Sequence, residues 1–330
     1  MSLIQEQQVA IAAVRSAAQI CERIRTHNAI QVVGKADASP VTVADFAAQA
    51  ILCQGIATAF PQDAIVAEES ASLLRQADYT RLLQQVTDWV RSEVPPATPE
   101  QVCNWIDLGQ GQVSDRFWTI DPIDGTKGFI RGAQYAIAVA LIEAGTVQLG
   151  VLGCPALKLP GFPAGIIMSA IRNHGIVITS LETGATQPWK SFAPTILRLA
   201  ESVEAGHGNP ELQRQVAHQA GCTEQPLPMD SQAKYAAIVG GQAALYMRLP
   251  WVTRPDYREN IWDHAAGSLL IEAAGGTVTD MHGQPLEFAL SHQLVNNAGI
   301  IASLGLDHDR VIASLPQETS PTTDGCPLIP

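Results

Sequence analysis

The sequence predicts a layered α/β protein, and three observations carry that prediction. Apolar segments of strand length alternate with helix-like segments through the second half of the chain. The 330 residues exceed the usual single-domain size, so one large or two packed domains are expected. Hydrophobic residues make up 46% of the chain and charged residues 16%, which suits a soluble globular protein with a substantial core.

The elements follow in order. Val14, Ala17, Ala18, Cys21 and Ile24 fall on one face at helical spacing. Residues 34–40 read as a loop. Thr42 is then an N-cap with Asp45 at the third helical position, and Phe46, Leu52, Ile56 and Phe60 continue the period. Residues 64–67 form a short apolar strand that ends on Glu68-Glu69. Residues 70–117 are more polar, with helical pieces broken around Pro95, Pro96 and Pro99. Residues 117–120 read as a buried strand delivering Asp121 at its carboxyl end. Residues 135–144 and 147–152 are two strands turned by Gly145-Thr146.

Gly153-Cys154-Pro155, followed by Pro160-Gly161-Phe162-Pro163, predicts a domain boundary. The expected units are an N-terminal domain over 1–153 and a C-terminal domain over 154–316. A Pro- and Thr-rich tail over 317–330 is expected to be disordered. In the second half, 166–171 and 175–179 form a hairpin, 195–203 a strand and 211–220 a helix. Residues 236–239 and 244–249 read as strands, and 262–274 as a helix closing at Gly275-Gly276. There is no internal repeat.

The formal net charge of −12 argues against non-specific binding to nucleic acid or to an anionic membrane. It leaves room for an anionic substrate, because clustered carboxylates recruit divalent cations that reverse the local field. The six cysteines are scattered with no C-x-x-C pair, which fits reduced thiols in a cytoplasmic protein. The N-terminal residues lack a basic segment followed by an apolar one, so no signal peptide is expected. The most apolar stretch, 135–144, is too short to span a bilayer.

The strongest chemical signal is Asp121-Pro122-Ile123-Asp124-Gly125-Thr126. Two carboxylates three apart can converge on a hard cation, and Mg²⁺ prefers such oxygen ligands. The Gly125 and Thr126 N–H groups can face a phosphate oxygen if a helix or turn begins there. These six residues alone leave an ordinary polar turn open. Taken alone, Asp263 reads first as a helix-dipole acid, Asp45 as a capping acid, and Lys234 and Arg248 as solvated bases. His264 is expected to be packed or capping, since a hard magnesium site does not want imidazole.

Taken together, Val66-Ala67-Glu68-Glu69-Ser70, the run 121–126 and Trp262-Asp263-His264-Ala265-Ala266-Gly267 resemble three signatures of a known superfamily. It is that of the lithium-sensitive, magnesium-dependent phosphatases related to inositol monophosphatase and fructose-1,6-bisphosphatase. Residues 117–129, Ser202-Val203-Glu204 with His207, Asp230-Ser231-Gln232 with Lys234-Tyr235, and residues 246–250 are similar to its 3'(2'),5'-bisphosphate nucleotidase branch.

The resemblance implies a layered αβαβα sandwich with an α+β N-terminal half. It implies two or three Mg²⁺ ions bound by Glu68, Asp121, the Ile123 carbonyl, Asp124 and Asp263, with Glu69 in support. Asp45 and Thr126 would activate the attacking water. Gly125, Thr126, His207, Ser231, Lys234 and Arg248 would contact a nucleotide. The implied reaction is hydrolysis of the 3'-phosphate of 3'-phosphoadenosine 5'-phosphate, with its sulfated precursor as a further substrate, in sulfur assimilation. An inositol phosphate or sugar bisphosphate substrate is the first alternative, and a non-catalytic metal or nucleotide sensor the second. The expected state is a monomer or small homo-oligomer with no nucleic-acid or membrane partner.

Overall fold

The computed structural model describes residues 3–27, 30–34, 40–190, 194, 196–204, 209–250 and 256–316. The chain opens with helix α1 (Ile4–Thr26), whose buried stripe includes Val14, Ala17, Ala18, Cys21 and Ile24. A two-stranded hairpin, β1 (Val32–Gly34) and β2 (Pro40–Thr42), leads into α2 (Val43–Ala59). The expected cap is present. The Thr42 hydroxyl accepts from the Ala44 N–H at 3.1 Å, and Asp45 Oδ2 accepts from the Thr42 N–H at 2.8 Å.

Strand β3 (Ala64–Ala67) follows, and then α3 (Thr80–Arg91) and α4 (Pro99–Asp107). Pro99 is the first residue of α4, where its missing N–H removes no helical bond. Next come β4 (Arg116–Asp124), the short α5 (Thr126–Ile130), β5 (Ala136–Glu143), β6 (Thr146–Cys154), β7 (Ile166–Ile171), β8 (Gly175–Ser180) and β9 (Thr186–Trp189). These seven strands form one sheet in the order β3-β4-β5-β6-β7-β8-β9, antiparallel except for the parallel β3–β4 pair.

This sheet corrects the boundary expected at 153/154. That point lies inside β6, where Gly153 pairs with Ile167 and Cys154 with Ile166. The passage from the first sheet to the second falls after Trp189. Gly153 marks close packing rather than a break, because a Cβ there would lie 2.6 Å from Val14 Cγ1 of α1.

The remaining elements are β10 (Leu199–Glu201), α6 (Pro210–Ala220), β11 (Leu227–Pro228), α7 (Ala233–Val239), β12 (Leu245–Arg248), α8 (Ala265–Ala273), β13 (Thr277–Thr279), β14 (Ile300–Ser303) and α9 (His308–Ala313). Five of them form a second, mixed sheet in the order β11-β10-β12-β14-β13. The strand expected over 236–239 is part of α7, since a short apolar run fits a buried helix as well as a strand and alanine favours the helix. The strand expected over 195–203 narrows to Leu199–Glu201, and the tail 317–330 lies outside the described residues.

Five layers result. Helices α1 and α2 cover one face of the large sheet, α7 and α8 fill the space between the two sheets, and α6 and α9 pack together beyond the second. The expected αβαβα sandwich is therefore observed. Helix α8 is buried from Ala265 to Ile271, so that stretch is apolar apart from Ser268 rather than amphipathic. The described cysteines, Cys21, Cys53, Cys103, Cys154 and Cys222, are buried and unpaired; Cys326 lies outside the described residues. No helix among the described residues is long and apolar enough to cross a membrane.

Candidate active site

Strand β4 does not end at Asp121 as expected. Its pairing with β5 holds through Asp121–Ala138, slips, and resumes at Asp124–Ala136. An irregularity of this kind bends a strand and re-aims side chains, and Pro122 tolerates it because it has no N–H to lose. Asp121 and Asp124 then approach Asp263, which lies on a 3₁₀ turn (Ile261–Asp263) ahead of α8 rather than within the expected helix. The three carboxylates each place one oxygen so that all lie within 4.8 Å of one another. Glu68, just past the end of β3, lines the same cleft of about 370 Å³, as do Ile123, Gly125, Thr126, Ser231, Lys234 and Arg248.

Burial pushes the Asp121 carboxyl well above its usual range, and the charges of Glu68, Asp124 and Asp263 push it further. Asp263 is raised by burial and then by Asp124. Asp124 is raised by burial, against the opposing pull of Lys234 and the Gln232 N–H, which donates to it at 2.7 Å. Acids crowded this closely bind either protons or cations.

Beside them stands a second pair. Thr126 begins α5 directly after Gly125, whose φ of +84° is readily adopted only by a residue without a Cβ. The Thr126 hydroxyl lies 3.2 Å from both Asp45 Oδ1 and the Ile123 carbonyl. Asp45 is fully buried, and its other oxygen accepts from the Thr42 N–H and hydroxyl. The capping acid thus also faces Thr126. Glu69 is buried outside the cleft lining, its backbone bonded to Gln49 and Gln110.

The same cleft also holds two bases. Lys234 is 2% exposed, donates to the Met229 carbonyl at 3.2 Å and lies over the Tyr246 ring at 5.0 Å. Burial lowers its pKa to about 8. Arg248 donates from Nε to Glu259 at 2.8 Å. Glu259 is 3.5 Å from His264 Nε2, and His264 Nδ1 is 2.8 Å from the Tyr235 hydroxyl. Burial would raise Glu259, but Arg248 and His264 outweigh it and hold the acid below its usual range. His264 is accordingly packed, as expected, and makes no side-chain cap. Ser231 has a φ of +66°, a strained value for a residue with a Cβ, and its Cβ leaves no room for one on Gly125, where an added Cβ would lie 2.8 Å away. At the rim, Glu204 receives Lys127 and Arg131, and Arg131 also holds Asp230 at 2.7 Å. His207 lies outside the described residues.

A wider groove of about 1200 Å³ opens between α1 and residues 155–158. Of its three acids, Glu22 and Glu93 are taken up by Arg25 and Arg23 and Glu182 is the third, and no cluster of carboxylates like that of the smaller cleft forms there among the described residues.

A model of the inositol monophosphatase family matches residues 3–320. The chain belongs to the inositol monophosphatase family. It is 42% identical to the 3'(2'),5'-bisphosphate nucleotidase of Schizosaccharomyces pombe over 97% of both chains. It is 37% identical to the protein of that name from Oryza sativa over 88% of both. Among solved structures, a Staphylococcal IMPase-I superposes with a TM-score of 0.63 at 17% identity, covering 96% of this chain and 97% of that one. An IMPase from Thermotoga maritima gives 0.62 at 21%, covering 94% and 96%. These likenesses concern the fold.

Enzymes of the inositol monophosphatase family depend on metal ions, and the donors here suit a hard divalent cation. Oxygens converge from three elements, they are desolvated, and their repulsion is what a cation would relieve. The set Glu259, Asp263 and His264 is also close enough to hold a metal, but Glu259 and His264 are engaged with Arg248 and Tyr235. Glu259 is not among the residues that the motifs single out. Its signal, a lone acid four residues before Asp263, gains meaning only once β12 brings Arg248 beside it.

Proposed function

We propose that the protein is a Mg²⁺-dependent phosphatase that removes the 3'-phosphate from adenosine 3',5'-bisphosphate and leaves AMP. The observation that carries this reading is the cleft itself, which gathers the carboxylates and, beside them, Lys234 and Arg248. A nucleotide with two phosphates fits that arrangement. The phosphate to be removed lies at the acids with their cations, and the retained one at the bases. The names of the relatives, at about 40% identity over nearly the whole chain, support the same substrate.

Glu68, Asp121, Asp124, Asp263 and the Ile123 carbonyl would hold the cations. Bound there, Mg²⁺ would neutralise phosphate charge and acidify the attacking water. The rest is the work of the chain. Thr126 directs its single proton to Asp45 Oδ1, which leaves its oxygen free to accept from the water. Deprotonation then runs from water to Thr126 to Asp45. Asp45 Oδ2, held by Thr42, fixes the carboxylate so that Oδ1 faces the hydroxyl. The Gly125 and Thr126 N–H groups, at the start of α5, lack helical partners and are available to a phosphate oxygen. Ser231 packs over Gly125 and closes that side. Lys234 and Arg248 bind the retained phosphate, Arg248 being aimed by Glu259. His207 is proposed as a nucleotide contact from the sequence alone.

The test is phosphate release from adenosine 3',5'-bisphosphate, its sulfated derivative, inositol phosphates and sugar bisphosphates, with Mg²⁺, with chelator and with lithium. Turnover confined to inositol or sugar phosphates would overturn the substrate assignment, and turnover unaffected by chelator would overturn the metal dependence.

Two further results are expected. Glu259→Gln frees the Arg248 head group and raises KM about tenfold or more, with a smaller change in kcat; steady-state kinetics check it. Lys234 has a pKa of about 8, so its charge is present below that pH and lost above it. The ratio kcat/KM, which reports groups of the free enzyme, is therefore expected to fall as pH rises from 8 to 9. Lys234→Arg, charged throughout, flattens that limb.

A further inference from the structure

We infer that Gln49 is a positioning residue that sets metal affinity by fixing the direction of Glu68. This rests on the reading of Glu68 as a metal ligand.

Strand β3 stops at Ala67, so the peptides carrying Glu68 and Glu69 leave the sheet just where they must be held steady. Gln49 holds them. Its carboxamide is fully buried and pairs with both backbone groups of one residue, Oε1 accepting from the Glu69 N–H at 2.8 Å and Nε2 donating to the Glu69 carbonyl at 2.5 Å. This two-point contact substitutes for the neighbouring strand that the chain has just left. The Glu68 N–H donates in turn to the Ile120 carbonyl of β4 at 3.2 Å. The backbone is thus pinned before and after the Glu68 Cα, which fixes where its side chain starts.

Gln49 is itself anchored. Nε2 also donates to the Ile106 carbonyl at 3.0 Å, and the approach requires Gly109, where a Cβ would lie 2.8 Å from Nε2 and 2.6 Å from Ala67 Cβ. Gln110 adds a second side-chain donor to the Glu69 carbonyl at 2.8 Å. Gln49 stands one helical turn after Asp45 on α2, so residues four apart face the same way. One helix therefore carries the base beside Thr126 and the clamp behind Glu68. It ties the position of the attacking water to that of the cations.

The test is calorimetric titration of Mg²⁺ into the metal-free full chain, which needs no turnover. Gln49→Leu keeps volume roughly and removes both of the bonds that Gln49 makes to Glu69. Its Mg²⁺ Kd is expected to rise about tenfold or more, as for other groups that orient a metal ligand, with KM at saturating Mg²⁺ within about twofold of wild type. Gln110→Ala, at an exposed position, is expected to give a smaller rise in the same direction and decides the matter if Gln49→Leu does not fold. Leu52→Ala, buried on the same helix, is expected to lower Tm and leave Kd alone. A Gln49→Leu protein that loses Tm like Leu52→Ala but binds Mg²⁺ as wild type would overturn the inference, as would an unchanged Kd in Gln110→Ala when Gln49→Leu does not fold. Glu68→Gln is titrated in parallel. If it binds as wild type, the ligand reading falls and this inference with it. If it loses metal while the clamp variants do not, only this inference falls.

Discussion

Asp45→Asn is expected to lower kcat by about three orders of magnitude, within the range of a lost general base, while leaving Mg²⁺ affinity and Tm close to wild type. The hydrogen bonds at Asp45 explain why the effect is selective. One oxygen caps α2 by accepting from the Thr42 N–H and hydroxyl, and an asparagine oxygen can do the same. The other oxygen receives the Thr126 hydroxyl. In the variant an NH₂ group meets Thr126 instead, so the hydroxyl must accept from it. Its proton turns to the Ile123 carbonyl, which is equally near at 3.2 Å. The oxygen that should accept from water is then occupied, and no base lies behind it. Kinetics at saturating Mg²⁺ and substrate, with a melting curve alongside, check the expectation. A kcat within tenfold of wild type would remove Asp45 from the mechanism.

Asp121→Asn is expected to lose activity about a thousandfold or more and yet to melt higher than wild type when both are metal-free. Asp121 is 1% exposed among Glu68, Asp124 and Asp263, so its charge is a burden in the folded chain until a cation relieves it. Asparagine keeps the 3.1 Å bond from the Ile123 N–H and discards the charge. The pH dependence has a definite sign. A carboxyl whose pKa is raised by folding contributes stability that is complete below its unfolded value, near 4, and is lost as pH rises through the higher folded value. Metal-free wild type should therefore lose stability from acid toward neutral pH, and Asp121→Asn should lose less. Mg²⁺ raises the Tm of wild type by binding the folded state and raises that of the variant little, so the order of the two proteins reverses on adding metal. Scanning calorimetry with and without Mg²⁺ reads both effects.

The parts of this site that lie close together in sequence were the legible ones. Thr42 and Asp45 form a capping box that the pattern showed directly, and the strand 117–120 was plain from its apolar run. The second task of Asp45, facing Thr126 across 81 positions, could not be read from spacing and came from a resemblance. The slip in pairing that turns Asp121 and Asp124 toward Asp263 left no mark beyond Pro122. Residues 236–239 of α7 read as a strand in the sequence, because that apolar run is buried between two sheets and shows no polar face. Gly153 resembles a break in the sequence for a related reason. That glycine answers to Val14 of α1, more than a hundred residues earlier, and not to any break in the chain. Glu259 and Gln49 were invisible for the same cause, since each acts on a partner that only the fold brings near.

The most direct test of the account is to incubate the purified protein with adenosine 3',5'-bisphosphate and identify the products by chromatography, with Mg²⁺ and with excess chelator. The expected result is one phosphate and one AMP per nucleotide with Mg²⁺, and neither with chelator. Release of adenosine 3'-phosphate instead, or equal turnover in chelator, would contradict it.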